Sequence, residues 1–185
     1  AETSGGSMEP IYRAVFQALY KDAEAHGGGK VISGNISLLE RNRIQTQRGD
    51  TILRYVATTP EDAPWMLSKV LFKDMKGISF AAVESGKPIH VPRVNNHGNI
   101  HFWNTDRDQE IYSGERDGSF IVVPLKDRRK RVFGLLGIDT LNDPRTRAIF
   151  ITHEIQFFQG IAKAFSIAYH HVDIRQKTMR ISESA

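Results

Sequence analysis

The chain contains no cysteine among its 185 residues. Disulfide bonds, thiolate nucleophiles and cysteine-ligated metal or haem sites are therefore excluded, and nothing in the composition requires an oxidising compartment. Apolar runs are short as well. None approaches the roughly 18 consecutive residues of a membrane span, and no charged-then-apolar leader opens the sequence. These absences predict a soluble, cytoplasmic protein without a membrane partner.

Strong net charge is also missing. The formal charge is +4, from 25 basic and 21 acidic residues, and the basic residues are interspersed with acidic ones except in KDRRKR, residues 126–131. Nucleic-acid binding needs a larger basic face, so we predict no nucleic-acid partner. The KDRRKR segment is interpreted as a solvated hairpin tip, with phosphate, a membrane surface or an acidic protein as the alternative contact.

Catalytic and metal-binding motifs are absent or incomplete. The sequence has no nucleophile-elbow glycines, phosphate-cradling loop or HExxH pair, so we predict a protein that is not an enzyme and has no cofactor. His97 and His101, with His90 nearby, suggest metal ligands, but they fall in a predicted loop where four-residue spacing has no geometric meaning. The segment 106–117 begins like a calcium loop but lacks its glycine and final glutamate. We predict no metal site.

Chain length and the polar composition of both termini predict one domain with polar ends, since a chain of this size buries roughly 70% of its unfolded surface in a single core. We assign residues 1–8 to a flexible tail or cloning remnant, 9–175 to the domain and 176–185 to a polar tail. Hydrophobic periodicity and turn residues predict the elements within the domain. They are helices at 10–25, 64–75, 78–84 and 152–172, strands at 31–41 and 51–59, and an edge strand in KPIHVPRV.

The segment SFIVVPLKDRRKRVFGLLGIDTL, residues 119–141, carries two apolar runs around the charged tip. In the first run, Phe120 and Val122 alternate with Ile121 and Val123, so both faces of the predicted strand are apolar. The second run repeats this pattern, with Val132, Leu136 and Ile138 on one set of positions and Phe133, Leu135 and Leu141 on the other. Apolar residues on both sets indicate a hairpin covered on both faces.

Three segments together resemble the GAF domain, a small-molecule sensing and dimerisation module related to the PAS fold. They are GISFAAVESGKPIHVPRV, the hairpin segment above and FITHEIQFFQGIAKAFSIAYHHV, and the resemblance extends over about residues 10–172. It implies an α+β fold with a central antiparallel sheet of five or six strands. The N- and C-terminal helices would cover one face, and short helices and loops would enclose a pocket on the other.

The resemblance implies a regulatory, signal-transducing role. Differences from the motifs of particular family members exclude some of the ligands and reactions known in the family. Members that bind cyclic nucleotides carry Asn-Lys…Phe…Asp-Glu, whereas here Asp143 follows Asn142 and His153 precedes Glu154. Members that attach bilins or reduce methionine sulfoxide use cysteines. The sequence therefore predicts a non-catalytic regulatory module, part of a larger protein, whose ligand is none of these.

Two roles remain open, each with its own candidate residues. In the first, an unknown small molecule enters beneath the loop 95–117 and shifts the terminal helices. Aromatic walls with a few polar groups suit such a site, and Asp139 is either its polar contact or a hydrogen-bonded strand-end aspartate. The predicted ligand-binding residues are Phe80, His101, Trp103, Phe120 and Asp139.

In the second role, the domain binds no ligand and forms a homodimer, or docks another protein, through its terminal helices. Both helices have apolar faces wider than contact with one sheet needs. The residues predicted for this face are Tyr12, Phe16, Tyr20, Phe157, Ala164 and His171.

Overall fold

The computed structural model describes residues 8–41, 51–59, 70–72, 78–92, 118–140, 143 and 149–183. Within these residues it contains one six-stranded sheet and three helices. In chain order the elements are α1 (Glu9–Ala25), β1 (Ser33–Arg41), β2 (Thr51–Thr59), β3 (Val70–Phe72), α2 (Ile78–Ser85), β4 (Ile89–Val91), β5 (Phe120–Lys126), β6 (Val132–Asp139) and α3 (Thr152–Glu183).

The sheet is antiparallel throughout, in the order β3-β2-β1-β6-β5-β4. Two hairpins, β1–β2 and β5–β6, meet where β1 pairs with β6. The predicted edge position of KPIHVPRV is confirmed, because β4 is the last strand. Pro88 and Pro92 flank this strand, and an edge tolerates prolines because no further strand needs their missing N–H groups. The predicted α+β class is also confirmed.

The β5–β6 hairpin is covered on both faces, as its sequence predicts. Ile121 and Val123 belong to an apolar cluster that α1 and α3 cover, and Val122 belongs to a second cluster that includes α2. All three side chains are at most 3% exposed. The terminal helices therefore cover one face of the sheet and α2 contributes to the cover of the other.

One detail of the predicted alternation is wrong. The sequence groups Phe133 with Leu135, but Phe133 packs into the helix-covered cluster and Leu135 into the other. A register shift lies beside them, since Leu125 pairs with Gly134 and Lys126 with Val132. An extra residue on one strand of a pair reverses the faces beyond it. Phe133 can therefore stack on Tyr169 of α3, with ring centroids 4.9 Å apart.

The predicted helix at 64–75 is also wrong in the part that the structure describes. Residues Val70–Phe72 form β3, in which Leu71 pairs with Leu53 of β2. A short apolar run fits either period, and pairing with an open sheet edge decides between them.

At the other end of the domain, α3 continues past its predicted end at residue 172 to Glu183. No helix in the described ranges combines the length and apolarity needed to cross a bilayer.

Candidate functional site

A groove of about 400 Å³ lies between α3, the β5–β6 hairpin and the segment that follows α2. Val123, Pro124 and Ala162 give it an apolar lining, and cationic side chains join them. Among the described residues, the groove is lined by Gly86, Pro88, Val123, Pro124, Lys126, Asp127, Arg128, Gln159, Ala162, Lys163, Ser166, Ile167 and His170. An apolar groove with a few charged groups can hold a small anionic molecule.

The turn at the end of the groove is organised by one carboxylate. Asp127 Oδ1 accepts the backbone N–H groups of Arg129 and Arg131, each at 2.8 Å, and Oδ2 accepts the Arg131 Nε–H at 2.7 Å. Desolvation opposes ionisation, but these hydrogen bonds and the charge of Arg131 together lower the pKa of Asp127 below its ordinary value. The turn is thus a structured hairpin tip, and its Arg128 is one of the groove's lining residues.

Ser166, which lines the groove, links the β5–β6 hairpin to α3. Its hydroxyl donates to the Ala162 carbonyl at 2.8 Å and accepts the Lys126 backbone N–H at 3.2 Å. His170, one turn further along α3, packs against Phe133 with ring centroids 5.1 Å apart. Its Nε2 atom is buried and has no hydrogen-bond partner within the described part of the chain. A buried ring nitrogen without a partner is unfavourable, so a ligand in the groove would gain by bonding it.

The residues that the sequence predicts for ligand binding lie elsewhere. Phe80 is 4% exposed and packs in the α2-side cluster, where Phe120 is half-buried. Asp139 is buried at the end of β6, opposite Phe120 in the strand pairing. None of these three lines the groove. His101, Trp103 and the loop 95–117 lie outside the described residues, so the predicted pocket stays a prediction.

Of the histidines that the sequence analysis considers as metal ligands, the structure describes only His90. His90 lies on β4, where its Nε2 atom is 2.8 Å from the Ser119 hydroxyl, and burial lowers its pKa. His97, His101 and the segment 106–117 lie outside the described residues. A different group, Asp22, His26 and His153, brings three ligand atoms within 4.8 Å of one another. Its first two members are on and just after α1, and the third is on α3.

The predicted partner face divides into a packed part and an exposed part. Tyr12 stacks on Phe165 of α3 at 5.9 Å between ring centroids, and Phe16 is 8% exposed within the core. Phe157 is half-buried, whereas Ala164 and His171 are exposed. Tyr20, which is 41% exposed, shares a hydrogen bond with the Thr59 hydroxyl. Phe16 therefore holds α1 to the sheet, and the exposed part of this face lies mainly on α3.

An exposed stripe runs along α3 and contains residues that the sequence prediction missed. Its members alternate in spacing between four and three residues, which is the pattern of a coiled-coil seam. Ile167 is 55% exposed and Ile174 is 50% exposed, although both are large apolar side chains. The seven-residue spacing that joins them could have been found in the sequence. We define the α3 stripe as Gly160, Ala164, Ile167, His171 and Ile174.

Comparison with known proteins relates the whole domain to one family. A family model described as the EFCB5 first GAF domain matches residues 9–172. The GAF domain/HD domain protein from Geobacter sulfurreducens is similar in structure, with a TM-score of 0.61 and 12% identity over 91% of this chain and 99% of that chain. A domain of a two-component sensor histidine kinase protein from Sinorhizobium meliloti 1021 has a TM-score of 0.58 and 16% identity over 95% and 98%.

A free methionine-R-sulfoxide reductase from Thermoplasma acidophilum has a similar fold, with a TM-score of 0.56 and 16% identity over 90% of this chain and 97% of that chain. Enzymes and sensor domains thus share this fold, and at such identities the likeness concerns the fold alone.

Proposed function

Because this chain belongs to the GAF domain family, in the group described as the EFCB5 first GAF domain, we propose that it is a non-catalytic regulatory module that pairs with a second copy of itself through the α3 stripe. The observation that carries the proposal is the exposure of two isoleucines, Ile167 and Ile174, at seven-residue spacing on one long helix. Large apolar side chains aligned in this way favour association because pairing removes them from water.

The smaller members of the stripe support close approach of two helices. A Cβ atom added at Gly160 would meet no described residue within 4 Å. Ala164 is exposed one turn further along. Small residues beside large apolar ones let knobs of one helix enter holes of another. The helix is 32 residues long, which provides enough length for several such layers.

Sedimentation equilibrium at tens of micromolar protein tests this proposal. The wild-type chain is expected to dimerise, and Ile167→Glu and Ile174→Glu are each expected to shift it to monomer, because pairing would bury their carboxylates. Ala81→Glu is a matched control, since it places the same charge at an exposed position of α2, which packs on the opposite face of the sheet. A monomeric wild-type chain, or variants that dimerise as wild type does, would reject the stripe as an interface.

A second function is favoured by the groove beside α3. A small anionic ligand would suit its apolar lining, its cations Lys126, Arg128 and Lys163, and the Nε2 atom of His170, which has no hydrogen-bond partner among the described residues. Ile167 belongs to both the groove and the α3 stripe. A ligand in the groove would therefore contact a residue of the proposed dimer interface, which couples sensing to pairing if the ligand binds the two states with different affinity.

A thermal-shift screen with anionic metabolites tests this second function. A ligand present at 100 times its Kd stabilises the folded state by about 2.7 kcal/mol, a shift that such a screen detects. Lys163→Glu is expected to remove the shift by placing a like charge at the groove. Lys87→Glu makes the same change at an exposed residue that does not line the groove. A panel without a hit, or a hit insensitive to Lys163→Glu, would leave dimerisation as the better-supported role.

A further inference from the structure

We propose that Asp22, His26 and His153 form a binding site for a divalent transition-metal ion of the zinc class, which links the end of α1 to the start of α3. Asp22 and His26 are four residues apart, so they lie on the same side of α1 and its C-cap, and His26 is the C-cap residue. His153 is in the first turn of α3. The fold thus brings together residues from opposite ends of the chain.

The distances are close to those of a metal site. The Oδ1 atom of Asp22 lies 3.0 Å from His26 Nδ1 and 3.6 Å from His153 Nε2. The two imidazole rings are 5.0 Å apart, at an interplanar angle of 59°. In a tetrahedral zinc site with bonds of about 2.0–2.2 Å, the ligand atoms are about 3.3–3.5 Å apart. Small movements of the imidazoles would therefore complete the geometry.

The three side chains differ in how freely they can move. The side chain of Asp22 is 5% exposed and is held against the protein, whereas those of His26 and His153 are 59% and 56% exposed. The carboxylate can act as a fixed anchor while both imidazoles rotate at the surface. An ion can reach the site from solvent for the same reason, because the two histidines form its outer side.

The second carboxylate oxygen of Asp22 provides an independent observation. Its Oδ2 atom is buried and has no hydrogen-bond partner among the described residues. A hydrogen bond from His26 accounts for Oδ1 only. Leaving a carboxylate oxygen buried without a donor is costly, and a cation held by this carboxylate would compensate for the missing donor. Both histidines approach Oδ1, so their contacts leave Oδ2 without a donor.

The ligand types identify the class of ion. Two imidazoles and one carboxylate suit zinc, cobalt or nickel better than calcium or magnesium, which prefer sets of oxygen ligands. Three protein ligands leave a fourth position open for water or another group. Nearby Lys30 is paired with Glu154 at 2.9 Å, so its charge is compensated at short range. The ion would fasten α1 to α3, and this inference does not rest on the proposed dimer or on the groove.

Titration calorimetry with zinc chloride, followed by cobalt(II) spectroscopy, tests the site on the whole chain. We expect one ion per chain, an increased melting temperature with zinc, and the visible absorption of tetrahedral cobalt. His26→Gln and His153→Gln are each expected to weaken binding by more than about 100-fold and to remove the cobalt spectrum. Both positions are exposed, so circular dichroism should show an intact fold.

Two controls separate this site from other histidines. His171→Gln, an exposed histidine of α3, and the double change His97→Gln with His101→Gln should bind zinc as the wild type does. Loss of binding in the double variant would place the ion on those residues and overturn the proposal. Absence of binding to the wild-type chain at tens of micromolar zinc, or full affinity in either His26→Gln or His153→Gln, would overturn it equally.

Discussion

The ammonium group of Lys30 lies 2.9 Å from the Oε2 atom of Glu154 and connects the segment after α1 to the first turn of α3. The same oxygen accepts the Ile151 backbone N–H at 2.8 Å. Glu154 therefore caps α3 by reaching back from its third position, as in half of a capping box. Its side chain is 1% exposed and that of Lys30 is 13% exposed, so this ion pair is shielded from water.

Removing the carboxylate of this pair should be strongly destabilising. Glu154→Ala leaves the Lys30 ammonium buried without its partner and the Ile151 N–H without its acceptor. We expect the free energy of unfolding in urea to fall by about 3–5 kcal/mol, as for other buried pairs broken on one side. The double variant Lys30→Met with Glu154→Leu removes both charges and should recover much of this loss. A single variant within about 0.5 kcal/mol of the wild type would contradict the assigned role.

The core beneath α3 should be most sensitive at Phe158. This ring is 2% exposed and packs edge-on against Phe150, with centroids 4.9 Å apart. Phe158→Ala removes a fully buried ring and leaves a cavity, so we expect a loss of about 3–5 kcal/mol in urea unfolding. The adjacent Phe157 is half-buried, and Phe157→Ala should be the milder change. Equal losses from the two would show that burial does not rank them as the structure does.

The hairpin tip contains a strained residue that can be relieved. Lys130 has a φ of 62°, in the left-handed region, and its backbone N–H donates to the Asp127 carbonyl at 2.9 Å. Glycine adopts this conformation without the steric cost of a Cβ atom, so Lys130→Gly should stabilise the domain by up to about 1 kcal/mol. Arg129 is not in the left-handed region, and Arg129→Gly should destabilise instead. Thermal unfolding of both variants distinguishes them, and stabilisation by the second alone would refute the turn geometry.

The hydroxyl of Tyr12 should ionise only at unusually high pH. Burial raises the pKa of its hydroxyl to about 12, with smaller contributions from Tyr169 and Glu9. A pKa raised in the folded state means that the neutral form stabilises the fold. This stabilisation is complete below the ordinary tyrosine pKa of about 10 and disappears as the pH rises through about 12.

The difference in ultraviolet absorbance between the wild type and Tyr12→Phe isolates this transition in an alkaline titration. The wild type should also lose stability between about pH 10 and 12 more steeply than the variant, because only the wild type has this hydroxyl to ionise. A difference transition centred near pH 10 would mean that Tyr12 is not held between the two terminal helices.

Many helices and strands could be predicted from the sequence, because the pattern of apolar and polar residues within each short segment indicates its secondary structure. Apolar runs on both sets of alternating positions predicted β5 and β6, and helical spacing predicted α1. Local patterns gave the wrong result where pairing between strands determines the secondary structure or the face on which a residue lies. Leu71 has a helical context but joins a strand through its pairing with Leu53, and Phe133 changes face because of an irregularity in register.

The candidate sites depended more heavily on distant contacts. The seven-residue spacing of Ile167 and Ile174 is present in the sequence, but their exposure follows from which side of α3 packs on the sheet. The meeting of Asp22 with His153 has no local signal, since it requires α1 and α3 to lie side by side.

The sequence by itself thus determined the class of fold and the two-sided hairpin, because burial periodicity is a property of short segments. Only the tertiary structure decided which apolar residues remain exposed, which carboxylates are buried beside histidines or lysine, and where a groove opens. These features arise from packing between segments far apart in the chain, and the free energy of such contacts depends on geometry that composition and spacing do not specify.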